Sequence, residues 1–126
     1  MTDDYWIGNI EKKTKENKFF RKVLYTAPQM QLVTMCIEPG QDIGTEVHRK
    51  GDQFIRVESG SGKLILQGKT HRVFPGFATV IPRQIEHNLI NTSKQHNLHA
   101  YVIYTPPEHP HDTRTMHKKN AATHDH

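Results

Sequence analysis

Four side chains of this sequence have the types and the spacing that a single metal ion would need. Glu46 and His48 lie two residues apart, so on an extended strand both point to the same face. Gln53 follows after a short turn, and His87 comes from a later segment that Pro82 opens. A carboxylate, two imidazoles and an amide oxygen are donors that divalent Fe, Mn, Ni or Zn accepts. The pattern therefore predicts a metal site built from Glu46, His48, Gln53 and His87.

Short β-prone runs surround these residues and predict an all-β protein. Turn residues, of which Pro39-Gly40 and Pro75-Gly76 are examples, recur about every ten residues, and no long helical period interrupts them. This spacing is typical of an antiparallel sandwich or barrel. The predicted strands are residues 19–26, 30–37, 54–57, 63–66, 71–74, 78–81, 87–90 and 98–104.

Size and composition indicate one compact domain. The chain has 126 residues, of which 24% are charged and 34% apolar, and its mean hydropathy is -0.75. No apolar run reaches the ~20 residues that cross a bilayer. The acidic N-terminus lacks the basic-then-apolar order of a signal peptide. We therefore expect a cytoplasmic protein without a membrane partner.

The single cysteine and the distribution of charge argue against two further classes of function. Cys36 lies within an apolar run, so we expect a packed thiol, and one cysteine provides neither an internal disulfide nor a thiolate-rich zinc site. The net charge is +4, but the basic residues are spread along the chain without interleaved aromatic residues. A protein that binds single-stranded nucleic acid combines a continuous basic groove with aromatic side chains on which the bases stack. We therefore expect no nucleic-acid partner.

Two segments resemble the motifs of the cupin superfamily, in particular the small cupin type 2 (conserved barrel) proteins. The first motif reads Gly, five residues, His-x-His, three or four residues, Glu, six residues, Gly, and it matches residues 40–60. The second reads Gly, five residues, Pro-x-Gly, two residues, His, three residues, Asn, and it matches residues 76–91. Every spacing in both motifs is kept. With flanking strands, the resemblance covers most of residues 19–105.

Three positions depart from these motifs. Glu46 replaces the first histidine, Gln53 replaces the glutamate, and Gln84 stands where a glycine is usual. The usual set of three histidines and one glutamate carries one negative charge, and the set in this chain also carries one, at a different corner. An amide oxygen is a weak neutral donor. The three strong ligands that remain resemble a two-histidine, one-carboxylate arrangement with open positions.

The resemblance implies a fold and an assembly. The expected fold is a single cupin double-stranded β-helix, or jelly-roll barrel, that holds a divalent metal ion. Family likeness also implies a homodimer, for which Trp6, Ile7 and the early strands are the candidate interface.

The resemblance also implies a range of activities. Cupins of similar size include sugar and sugar-phosphate isomerases, epimerases, dioxygenases and ligand-binding regulators, and residues 52–57 with 104–110 are similar to cupins labelled mannose-6-phosphate isomerase-like. We therefore expect a metal-dependent isomerase, epimerase or dioxygenase that acts on a small polar or sugar-like molecule. The alternative is a non-catalytic small-ligand-binding cupin with a degenerate site. In that case Glu46 would pair with His48, and Gln53 would bridge to His87.

The patterns divide the chain into three parts. Residues 1–18 form a polar N-terminal segment, residues 19–105 the barrel, and residues 106–126 a polar, histidine-rich tail in which 115–123 could form a short helix. The tail histidines are irregularly spaced, so we expect them to be solvated. A lid that residues 106–111 form over the barrel mouth is the open alternative.

Overall fold

A computed structural model describes residues 4–118 of the chain. These residues contain one helix and nine strands: α1 (Ile10–Glu16), β1 (Arg21–Thr26), β2 (Gln31–Ile37), β3 (Asp52–Ser59), β4 (Gly62–Leu66), β5 (Lys69–Val73), β6 (Ala78–Ile81), β7 (His87–Asn91), β8 (Leu98–Thr105) and β9 (Arg114–Thr115). No helix among them has the length and apolarity that crossing a membrane requires.

Two antiparallel sheets enclose the core. The larger sheet has the order β6-β3-β8-β2-β1-β9 and the smaller one β5-β4-β7. The segment before β3 extends the smaller sheet, because Asp42 bridges to Ile90 and Glu46 bridges to His87. Apolar side chains from the two inner faces fill the space between the sheets, among them Val33, Ile55, Leu64, Leu89 and Val102. The predicted jelly-roll barrel is confirmed.

The eight predicted strands are all present, with ends that differ by a few residues. Residues alternate between the two faces of β8: Leu98, Ala100 and Val102 are buried, while His99 and Tyr101 are half-buried on the other face. Turn chemistry and alternation therefore carried enough information to position the barrel wall.

Helix α1 was not predicted. The side chain of Asn9 caps it by accepting from the Lys12 backbone N–H at 3.0 Å, and Lys15 Nζ pairs with Glu11 Oε2 at 2.7 Å. Only one helical residue, Thr14, is buried. A seven-residue helix with one buried position has no apolar stripe for a sequence pattern to detect.

The segment that follows β8 packs back onto the barrel, and we call residues 106–113 the strap. Gln31, which is fully buried, holds it: its Nε2 donates to the His109 carbonyl at 2.7 Å, and its Oε1 accepts from the backbone N–H groups of Glu108 and His109 at 3.1 and 3.0 Å. Beyond the strap, β9 pairs with β1.

The strap corrects one expectation about the tail. The prediction of a solvated histidine is wrong for His109, which is buried with its ring 5.1 Å from that of Tyr104. The alternative of a lid over the barrel agrees with this packing. Thr115, the first residue of the predicted tail helix, belongs to β9, and residues 119–123 of that helix lie outside the described residues.

Candidate metal centre

Backbone hydrogen bonds position Glu46 and His87 directly opposite each other. The Glu46 N–H donates to the His87 carbonyl at 2.8 Å, and the His87 N–H donates to the Glu46 carbonyl at 2.9 Å. His48 lies two residues further along the same face, and its carbonyl accepts from the Gln84 N–H at 2.6 Å. Gln84 has φ +73°, so the position where cupin motifs usually have glycine keeps its left-handed backbone here.

These constraints bring three ligand atoms together. One atom each of Glu46, His48 and His87 lies within 4.8 Å of the others, and all three residues are buried. Glu46 Oε1 is 3.3 Å from His48 Nε2 and 3.7 Å from His87 Nε2. The chain therefore has a buried carboxylate–imidazole–imidazole group that could hold a metal ion.

The ring of His87 has a defined orientation. Its Nδ1 lies 2.9 Å from the Ile85 carbonyl, and because a carbonyl can only accept, Nδ1 must carry the proton. In the neutral ring this leaves a lone pair on Nε2, the atom that faces Glu46. Nε2 is buried and has no hydrogen-bond partner among the described residues. An oriented lone pair of this kind is what a metal ion requires of histidine.

Gln53 enters the barrel from β3, where it pairs with Tyr104 on one side and Ile81 on the other. It is buried, and its Oε1 has no hydrogen-bond partner within residues 4–118. The ring of Tyr104 lies 5.7 Å from that of His48, so Gln53 belongs to the same end of the barrel. A buried amide oxygen without a donor is suited to a cation, and Gln53 as the fourth ligand stays a prediction.

The degenerate-site alternative predicted two pairings, and the structure contains one of them. The Glu46–His48 pair is present at 3.3 Å. A bridge from Gln53 to His87 Nε2 is absent from the described residues, because that nitrogen has no hydrogen-bond partner there.

Two charged residues at this site were not predicted from the sequence. Arg21 Nη2 lies 3.9 Å from Glu46 Oε2, and Glu108 Oε1 lies 3.5 Å from His48 Nδ1. Arg21 had one available signal, since it shares a strand face with the apolar Val23. Glu108 lies in the strap, outside both motifs, and its one signal was the alternative that residues 106–111 form a lid over the barrel mouth.

The charges around His48 affect its protonation. Burial by itself would lower the pKa of this imidazole, but the carboxylates of Glu108 and Glu46 outweigh burial and raise the pKa to about 9. In the metal-free protein His48 is therefore cationic at neutral pH, between two carboxylates. A metal ion must displace the Nε2 proton, so metal and proton compete for this atom.

Comparison with known proteins agrees with the motifs. Residues 33–104, more than half of the chain, match the Cupin domain model. The chain is 38% identical over 109 residues to an uncharacterised protein of Acanthamoeba polyphaga mimivirus, covering 83% of this chain and 68% of the viral one. It is also 38% identical over 115 residues to Bacillus subtilis YrkC, covering 86% of this chain and only 61% of YrkC.

Solved structures show the same fold. A crystal structure of a Bacillus halodurans protein is similar with a TM-score of 0.90 and 39% identity, covering 93% of this chain and 92% of that chain. A cupin described as a sugar phosphate isomerase from Silicibacter pomeroyi has a TM-score of 0.58 and 22% identity, covering 64% and 52% of the two chains. The second likeness shows the fold alone. With a family match over most of the barrel and a jelly-roll structure, this chain belongs to the Cupin domain family.

Proposed function

We propose that the protein binds one divalent metal ion through Glu46, His48 and His87, with Gln53 as a fourth donor. The observation that carries this proposal is the convergence of three buried ligand atoms within 4.8 Å, one of them an oriented imidazole lone pair. The donor set of nitrogen and oxygen atoms suits Fe, Mn, Ni or Zn. When bound, such an ion supplies a Lewis acid, or in the case of iron a redox centre.

The proposed activity is that of a metal-dependent isomerase or epimerase acting on a small polar or sugar-like molecule. Such reactions need a side chain that takes up and returns a proton near the metal ion. Glu108 is suited to this role because its carboxylate lies beside His48. Its side chain is also 22% exposed, so a substrate can reach it. Dioxygenase chemistry would be the consequence of bound iron.

Metal analysis of protein purified without a histidine tag tests the site. We expect about one metal ion per chain in the wild type and loss of that ion in His48→Ala and in His87→Ala. The matched control is His71→Ala, which removes an exposed histidine on β5. A metal-free wild type, or metal retained in both site variants, contradicts the proposal. Substrate-triggered oxygen uptake by an iron-containing protein would assign a dioxygenase.

The second candidate function is a small-ligand-binding barrel without catalysis. The observation that favours it is the contact of His48 with Glu46 on one side and Glu108 on the other, which together with Arg21 beside Glu46 balances two carboxylates with two cations without any metal ion. This function predicts that added Zn²⁺, Mn²⁺ or Fe²⁺ leaves the thermal unfolding temperature unchanged, whereas a metal-binding site predicts a rise that grows with metal concentration.

We also propose that two copies associate through the N-terminal segment. Trp6 lines an apolar groove of about 340 Å³ together with Met30 and Leu32, while Ile7 is 85% exposed beside it. Light scattering tests the proposal: the wild type should have the mass of a dimer and Ile7→Lys that of a monomer. A monomeric wild type contradicts it.

A further inference from the structure

A deeply buried arginine reaches the candidate metal centre from β1. Arg21 is 1% exposed, and its backbone lies between Met35 of β2 and Thr115 of β9 at the start of β1. Its guanidinium lies beside the Tyr104 hydroxyl, and its Nη2 is 3.9 Å from Glu46 Oε2. Both Nε and Nη1 lack a hydrogen-bond partner among the described residues.

This guanidinium is under-satisfied for its depth. It presents five N–H donors in one plane, and a separation of 3.9 Å from Glu46 is too long for a hydrogen bond. A buried charge is stable when hydrogen bonds replace the water that it has lost, and buried donors in folded proteins nearly always have an acceptor. The spare donors of Arg21 therefore indicate an acceptor that is not part of the described chain.

The charges of the site indicate which acceptor fits. Glu46 and Glu108 are negative, Arg21 is positive, and His48 and His87 are neutral when they act as metal ligands. The protein groups thus sum to one negative charge, and a divalent ion changes the sum to one positive charge. A monoanion neutralises this single positive charge. A neutral sugar leaves the charge uncompensated. A phosphate monoester, which carries nearly two negative charges at neutral pH, gives the site a net negative charge.

We propose that the ligand of this barrel is a small monoanionic carboxylate whose carboxylate group is received by Arg21. The inference rests on the proposed function, because the metal ion supplies the positive charge that permits an anion to enter beside two carboxylates. A carboxylate also matches the planar edge of a guanidinium, from which it accepts two parallel hydrogen bonds. Arg21 would then select for acids over neutral polyols of the same size.

Glycolate and ethylene glycol are the probes that test this selection, because they differ only by the carboxylate. Thermal unfolding of the Zn²⁺-loaded protein is followed against the concentration of each probe, with inorganic phosphate as a third. We expect glycolate to bind at least ~10-fold more tightly than ethylene glycol and phosphate. Arg21→Met should abolish that preference, while Arg72→Met, which removes an exposed arginine on β5, should retain it.

Each remaining outcome also decides the inference. Equal binding of glycolate and ethylene glycol, tighter binding of phosphate, or an unchanged preference in a folded Arg21→Met protein overturns it. If Arg21→Met does not fold, the comparison of probes on the wild type decides. If the wild type takes up no metal ion, the proposed function fails and the inference fails with it, because the site then lacks the charge that admits an anion; loss of the glycolate preference in a metal-loaded protein overturns the inference alone.

Discussion

Both ends of the barrel carry histidine and other polar side chains, but within residues 4–118 the two ends differ in how fully hydrogen bonds satisfy the buried ones. Three strands connect the ends: Gln53 and Ser59 lie near opposite ends of β3, His87 and Asn91 at opposite ends of β7, and Tyr104 and His99 near opposite ends of β8. The far end, at Ser59 and His99, borders an open pocket of about 600 Å³. There His99 Nδ1 shares a hydrogen bond of 2.8 Å with Ser59 Oγ.

At the far end, the polar side chain of Asn91 is fully hydrogen-bonded to neighbouring backbone groups. Its Nδ2 donates to the carbonyls of Ile37 and His96, both at 2.8 Å, and its Oδ1 accepts from the Ser93 N–H at 2.9 Å. At the metal end, by contrast, buried atoms of Gln53 and Arg21 lack partners within residues 4–118. The comparison teaches that histidine content does not identify a site. Buried groups that the chain leaves unsatisfied are the better indicator.

The strongest test of this difference removes the carboxylate at the metal end. Glu46→Gln leaves the Arg21 guanidinium buried without an ionised partner at 3.9 Å, so we expect the metal-free protein to lose about 3 kcal/mol of unfolding free energy. Urea denaturation measures the loss. The double variant Glu46→Gln with Arg21→Met should recover part of it, because the unpaired charge is gone. Additive losses in the double variant would contradict the coupling.

The corresponding variant at the far end removes hydrogen bonds of a neutral side chain, with no change in charge. Asn91→Ala removes three bonds and takes the side-chain donor away from the buried Ile37 carbonyl, so we expect a loss of about 2 kcal/mol by urea denaturation, with metal content unchanged. Asn97→Ala, which truncates an exposed asparagine that lines the pocket at this end, is the control and should change stability little. Loss of metal together with stability would show that the two ends are not independent.

Residue patterns predicted the barrel better than they predicted its site. The strands could be predicted from the sequence because Gly and Pro mark the turns and alternation marks the faces. His48 and His87 could be predicted as site residues because their spacing from neighbouring motif residues is local in the sequence. Arg21 reaches the site along the barrel interior, and Glu108 reaches it only because Gln31 holds the strap. Such tertiary placement has no periodic signal in the sequence.

Glu108 provides an intermediate effect, on protonation. Glu108→Gln removes one of the two carboxylates that raise the pKa of His48 to about 9, so we expect the pKa to fall by about one pH unit in the metal-free protein. NMR titration of the imidazole measures it. A raised pKa contributes stability below the ordinary value of 6.5, and this stability is lost as pH rises through about 9. In the variant the loss should come at lower pH. An unchanged titration would show that Glu46 alone holds the proton.

The smallest expected effect is at His99, where the sign of the pH dependence is opposite. Burial lowers the pKa of His99, and a hydrogen bond with the Asn17 backbone offsets this only in part. The folded protein therefore resists protonation: stability is complete above the ordinary pKa of 6.5 and falls as pH drops towards the lower folded value.

Because the ring is partly exposed, His99→Asn should remove less than about 1 kcal/mol of the stability change between pH 7.5 and 5.5, measured by urea denaturation. His71→Asn, on exposed β5, should retain the wild-type change. If both variants behave alike, the far end has no protonation-sensitive group, and the contrast between the two ends is one of hydrogen bonding alone.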